Sequence, residues 1–245
     1  MDRAIYTAMS AANAALNRQA VTSNNLANSS TAGFRSQLAA FRSVPINGDT
    51  LQTRALVAES TPFHDNTMGP ITHTGRSLDV ALPQNGWLAV ATEEGGEGYT
   101  RNGVIEVDQD GALSVGGRPL MGDGGPLEVP PQSHVTIGTD GTVSALGMGD
   151  DPTALVPVGR IKLVNAEMNA MLHGDDGLFR AAGEQVLEQD ETLRLTPEAI
   201  EGSNVSPVQA MTEMIANSRG FDMNMKVIRT ADENAQKANQ LLSVS

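Results

Sequence analysis

Seven-residue spacing of apolar side chains at both ends of the chain, with a turn-rich stretch between, limits what this sequence can fold into. Near the start, Ile5, Met9, Ala12, Leu16, Gln19, Ser23 and Leu26 recur at alternating steps of four and three. Such a series keeps to one stripe of a helix and makes a seam for another helix. The segment is rich in Ala, the strongest helix former, and the spacing predicts a helix from Arg3 to Asn28, ~38 Å long at the helical rise. Ser29, Ser30, Thr31 and Gly33 then stop it.

The tail repeats the pattern. Ser206-Pro207-Val208-Gln209 reads as a helix start, with Ser206 as N-cap, Pro207 at the first helical position and Gln209 closing a capping box. Met214, Phe221, Ile228, Ala235 and Leu242 then fall every seven residues, with Met211, Ser218 and Met225 on a second row. Beyond Met225 that row continues as Asp232 and Asn239, so the partner surface is expected to change along a helix of ~54 Å. Two such helices can pair within one chain or serve as an oligomerisation device, and the spacing fits both.

The ends are nearly free of Gly and Pro, whereas residues 43–200 hold 22 of the 25 Gly and 11 of the 12 Pro. Charge divides the same way. The chain is −13 overall, residues 1–42 are +3 and residues 201–245 are −1, which leaves −15 for the middle. That sign repels phosphate backbones, so nucleic acid is not an expected partner. In the middle, Leu78–Leu82, Val104–Val107 and His134–Ile137 alternate apolar and polar residues. Between such runs stand the hairpin dipeptides Asn85-Gly86, Asn102-Gly103, Asp110-Gly111, Asp123-Gly124 and Asp140-Gly141. A meandering antiparallel domain follows. Residues 43–70 show no sustained period and read as an extended crossover or a loosely paired ribbon.

The expected fold is therefore α+β: terminal heptad-bearing helices packed as a coiled-coil-like layer, with a central antiparallel β-rich domain. Its expected parts are an N-terminal assembly helix (1–34), a crossover (35–74), an acidic β domain (75–200) and a C-terminal assembly helix (201–245).

The residues do not assemble into recognisable catalytic chemistry. Cys is absent, which removes disulfides and thiolate sites. Glu106 to Gly111 imitates the first half of an EF-hand loop, but Gly117 stands where the bidentate Glu belongs. His64, His73, His134 and His173 lack metal-ligand spacing. Gly124-Gly125 and Gly147-Met148-Gly149 lack the lysine of a phosphate cradle, and no nucleophile elbow is present. No catalytic residue, metal or cofactor is expected. The longest plain apolar run, Trp87 to Ala91, is far below the ~20 residues that span a bilayer. Ala4 to Leu16 is interrupted by Ser10 and Asn13 and preceded by Asp2, so a cleaved signal peptide is not expected.

Three blocks carry a family resemblance. Ser23-Asn24-Asn25-Leu26-Ala27-Asn28, followed by Thr31-Ala32-Gly33-Phe34, resembles the signature that ends the N-terminal helix of bacterial flagellar rod and hook proteins. Glu201-Gly202-Ser203-Asn204-Val205, with Met214-Ile215, Arg219-Gly220-Phe221 and Ala231-Asp232-Glu233, resembles their C-terminal block. In the middle, Thr74 to Leu82, Asn85 to Val90 and Tyr99 to Gly103 resemble the sheet motif of the longer members. Trp87-Leu88 stands where many relatives have paired Phe, and Ala32 where Pro is common. The opening Met1 to Met9 and the modest length are most similar to the proximal rod proteins of that family, with distal rod and hook subunits as the alternatives.

The resemblance implies a structural axial subunit of the basal-body rod, exported unfolded through the flagellar type III apparatus without a cleaved signal. It would polymerise in the periplasm with other rod subunits into a hollow shaft that transmits torque and walls the export channel. The expected assembly interface is Ile5, Met9, Ala12, Leu16, Leu26, Met211, Met214, Phe221, Met225, Ile228, Ala235 and Leu242. The expected motif residues are Asn24, Asn25, Leu26, Ala27, Asn28, Gly33, Phe34, Ser203, Asn204 and Val205. A cell-wall-binding or cell-wall-hydrolysing β domain on a helical stalk is the reading from another class, and would need a cleft with a poised carboxylate pair.

Overall fold

A computed structural model describes residues 4–45, 55–59, 63–147, 155–183 and 185–243. The chain divides into two compact units. One holds residues 1–29, 36–65 and 205–245, the other residues 30–35 and 66–204.

The first unit is built on two helices, α1 (Ala4–Ala27) and α2 (Pro207–Ser243). They pack side by side, with Thr22 near the end of α1 facing Asn217 near the start of α2 at 3.5 Å. α2 begins at Pro207, whose missing N–H costs nothing in a first turn. The Ser206 Oγ stands 3.5 Å from the Gln209 amide, while the Gln209 side chain reaches forward to Glu213 rather than back. A hairpin of Phe41–Pro45 and Ala55–Glu59 lies along α1. It is fastened by the Ser10 hydroxyl, which donates to the Val57 carbonyl and accepts from its amide, both at 3.1 Å. The Arg18 guanidinium sits 4.5 Å over the Phe41 ring. A shorter ribbon pairs Gln37–Leu38 with Phe63–His64; residues 46–54 and 60–62 of the expected crossover lie outside the described residues.

The second unit is antiparallel β structure. Its largest sheet runs in the order Leu163–Asn165, Gly86–Ala91, Glu97–Thr100, Phe179–Ala181, Met171–His173. The strand Gly86–Ala91 is buried on both faces, and period-two alternation splits its side chains. Leu88 and Val90 enter an aliphatic cluster with Val80, Ile105, Leu113, Leu120 and Ile161. Trp87 and Ala89 enter a second cluster with Tyr99, Val164, Met171 and Phe179. The Trp87 indole donates to the Ala166 carbonyl at 2.9 Å, so a large ring is buried with its polar atom satisfied.

Three of the five expected hairpin dipeptides join neighbouring strands. Asp110-Gly111 leads from Ile105–Val107 to Leu113–Val115, Asp123-Gly124 from Met121–Gly122 to Gly125–Pro126, and Asp140-Gly141 from His134–Ile137 to Thr142–Leu146. Gly111 and Gly141 hold φ of 89° and 84°, which only glycine adopts at little cost. Asn102-Gly103 is not a hairpin: Gly103 lies so close to the Val80 carbonyl that a Cβ would collide with it. The strand Val156–Arg160 forms an edge of the three-stranded sheet. There the register slips, with Gly159 opposite Val143 and Pro157 opposite Ser144, leaving Val158 without a ladder partner.

These observations correct the expected α+β class. The fold is mainly β, with helix among the described residues confined to α1, α2 and one 3-10 turn at Met168–Ala170. The long heptad patterns dominate the sequence, whereas most of the strands are only two to five residues long, too short for alternation to show; even the expected crossover pairs into ribbons.

Candidate assembly face

Helix packing in the first unit inverts the usual distribution of side-chain size. The buried row of α1 is Ala8, Ala12, Ala15 and Thr22, with Ile5, Gln19 and Leu26 half-buried beside it. On α2, Ala210 is buried and Met214, Asn217, Gly220, Phe221, Asn224, Ile228 and Ala231 are half-buried. Small residues let two backbones approach closely, so Ala, Thr and Gly are what a tight two-helix seam selects. Several other large apolar side chains stay outside: Met9 is 49% exposed, Leu16 50%, Met211 53%, Ile215 56%, Met223 65% and Val227 50%. Met225 is half-buried and Ala235 exposed, and the side chain of Leu242 lies outside the described residues.

Of the expected interface, the structure thus brings Ile5, Ala12, Leu26, Met214, Phe221 and Ile228 to the seam between α1 and α2, and leaves Met9, Leu16 and Met211 facing out. At 100° per residue, Met9 and Leu16 project to the same side of the pair as Met211 and Met225. That flank lies opposite Ser10 and Arg18, which hold the hairpin. The other flank carries a groove of about 320 Å³ lined by Arg18, Val21, Thr22, Leu38, Ala216 and Asn217 among others.

The motif residues have definite tasks. Asn25 acts as a strand partner. Its amide donates to the Gln37 carbonyl at 2.9 Å and its oxygen accepts the Gln37 amide at 2.8 Å, extending the ladder of Gln37–Leu38 with a side chain. Asn24 and Leu26 end α1 through their carbonyls, which accept from Asn28 and Ser29. Ala27 is the last helical residue.

In the second unit, Gly33 has φ of 69°, and a side chain there would collide with the Arg101 carbonyl. The Gly33 amide donates to the Glu201 carbonyl at 2.8 Å, and the Asn204 amide donates to the Phe34 carbonyl at 3.3 Å. Asn204 also reaches the Thr67 carbonyl at 3.0 Å. Ser203 is buried, and Val205 is half-buried two residues before α2.

Beside these residues lies an ion cluster that sequence reasoning missed. The buried Glu201 carboxylate forms an ion pair with Arg35 at 2.8 Å and accepts from Arg101 at 2.6 and 3.1 Å. Arg101 also donates to the carbonyls of Leu82, Pro83, Gln84 and Gly86, and Arg35 to that of Asn66. The available signal was the run Ala199-Ile200-Glu201: Ala199 and Glu201 both point inward on one strand, and a charge at an inward position needs partners.

Several carboxylates of the β unit are engaged. Glu97 borders a cleft of about 210 Å³ with Tyr99 and Arg180, but it is held by Lys162 at 2.7 and 2.8 Å and by the Tyr99 hydroxyl at 3.2 Å. Burial pushes the Tyr99 phenol up. The Arg180 guanidinium holds Asp176 below the usual carboxylate range, as the Thr142 hydroxyl does for Asp140. Among the described residues, no three His, Asp or Glu converge to hold a metal, and no helix is long and apolar enough to cross a membrane.

The chain matches three family descriptions in order: "Flagella basal body rod protein" over residues 5–35, "Flagellar hook protein FlgE/F/G D1 domain" over 81–145, and "Flagellar basal body rod FlgEFG protein C-terminal" over 196–241. It is 55% identical to the flagellar basal-body rod protein FlgF of Salmonella typhimurium, over the whole of both chains. This chain belongs to the flagellar basal-body rod protein family. The rod protein is 54% identical, again over full length, to FlgF of Escherichia coli K12. Against the rod protein FlgG of Buchnera aphidicola subsp. Acyrthosiphon pisum it is 28% identical, covering 90% of this chain and 92% of that one. As a member of this family it is a structural subunit of the flagellar basal-body rod.

Proposed function

We propose that this rod protein occupies the proximal rod and polymerises helically with other rod subunits through α1 and α2, its work being mechanical rather than catalytic. The observation that carries the reading is the exposure of Met9, Leu16 and Met211 on one flank of the helix pair. Apolar side chains of that size, left about half in water, forgo roughly 1 kcal/mol each relative to full burial, and a neighbouring subunit recovers it. Contacts between two different faces do not close on themselves, so they generate a helical shaft. Like charge on the acidic middle limits unwanted association. Export without a cleaved signal through the flagellar type III apparatus, and assembly in the periplasm, complete the proposal.

The test is motility and rod incorporation of Met9→Ser combined with Leu16→Ser. These side chains lie outside the α1–α2 seam, so the purified variant is expected to match the wild-type far-UV spectrum and thermal midpoint while failing to enter rods. Swimming at the wild-type rate would remove this flank from the interface. Loss of turbidity from purified cell walls on adding the wild-type protein would overturn the mechanical reading in favour of wall hydrolysis.

A further inference from the structure

Two guanidinium groups and one carboxylate are buried together where segments distant in sequence meet. Arg35, Arg101 and Glu201 are each no more than 3% exposed. Two arginines per carboxylate make the cluster net positive, and guanidinium stays charged throughout the accessible pH range. Arg101 has four carbonyls of residues 82–86 around it besides Glu201. Arg35 has the Asn66 carbonyl at 2.7 Å and Glu201. The Glu201 carboxylate also accepts the Gly69 amide at 3.1 Å, and the backbone beside it accepts Gly33 and donates to Phe34 through Asn204.

We infer that Glu201 is a latch: anchoring of the segment Gly33–Arg35 onto the β unit depends on arrival of the segment Glu201–Asn204, which lies some 170 residues later in the chain. Burying Arg35 beside Arg101 without the carboxylate brings two like charges into a desolvated site, which is strongly unfavourable. Before Glu201 docks, the Gly33 amide also lacks its acceptor. With Glu201 in place, one residue neutralises charge, accepts the Gly69 amide and receives Gly33. The latch therefore withholds the N-terminal segment from the β unit until the stretch that leads into α2 has folded. A chain that is extended from its N-terminus, by synthesis or by transport, keeps the region after α1 free until its last quarter is available.

Pulse-labelled hydrogen exchange on the full-length protein tests the order. During refolding, Gly33, Gly69 and Gly202, whose amides donate to Glu201 or to Pro70, are expected to gain protection in one phase. Protection of Gly33 in an earlier phase than Gly202 would overturn the latch. In native Glu201→Gln, exchange at Gly33 and Gly69 is expected to rise at least tenfold while Leu88 and Val164 stay within about twofold; wild-type protection at Gly33 in this variant would equally sink it. Arg35→Met keeps the Arg101–Glu201 pair and so remains informative should Glu201→Gln not fold. It is expected to raise exchange at Gly33 tenfold and leave Gly202 unchanged, and an unchanged Gly33 would overturn the dependence on charge.

Discussion

The two units of this rod protein distribute apolar bulk in opposite ways. The β unit keeps its largest side chains inside: Trp87, Leu88, Ile105, Leu113, Leu120 and Ile161 are each at most 1% exposed, while Leu172, Val186 and Val156 stay in water at its margins. The helix pair keeps small side chains inside, Ala8, Ala12 and Ala15, and leaves Met9, Leu16, Met211, Met223 and Val227 half or more exposed. A unit of the first kind draws its stability from a core of large side chains. A unit of the second kind holds together by close approach of backbones and leaves much of its apolar bulk partly in water. The lesson is that apolar spacing locates an amphipathic helix, while side-chain size tells which stripe is internal and which stays exposed.

The contrast can be broken most directly in the β unit. Leu88→Ala leaves a cavity in a fully buried site and is expected to lower stability by about 2–5 kcal/mol in urea titration. A loss below ~1 kcal/mol would mean that this core is loosely packed. In the helix pair the sensitive change is in the other direction. Ala12→Leu, at 4% exposure, forces the helices apart and is expected to cost about 1–3 kcal/mol, read as faster exchange along α1 with the β unit unaffected. A stabilised or unchanged protein would show that the seam is not closely packed.

The smallest effect concerns pH. Partial burial holds the His173 imidazole below its ordinary value, with Asp176 and Asp175 opposing. The folded state then binds fewer protons than the unfolded state once pH falls below about 6.5, so stability declines from there downward through the folded-state value. His173→Gln is expected to flatten that part of the thermal-midpoint profile; an unchanged slope would place its origin elsewhere.

Much of this was legible in the residues. The rows Ile5–Ala12–Leu26 and Met214–Phe221–Ile228 give the helices and one line of their contact. The more buried line runs one residue aside from the bulkiest one: Met9 and Leu16 stand out in a sequence by size, whereas Ala8, Ala15 and Asn217 are the less exposed. The mainly β character was understated, since pairs such as Thr196–Pro197 with Val80–Ala81 are two residues long and join segments over a hundred positions apart. The Arg35–Glu201–Arg101 cluster was hidden for the same reason: charge neutralisation at long range leaves no periodic trace. Asn25 was recognised only as part of a motif, and its service as a strand partner needed the fold to be seen.

The edge strand Val156–Arg160 has a consequence for the unassembled subunit. Leu155 and Val156 are 47% and 61% exposed there, which on a straight ladder would invite a second sheet to add alongside. Pro157 removes a donor and the unpaired Val158 bends the strand. Subunits crowded together before incorporation are therefore discouraged from templating one another as sheets.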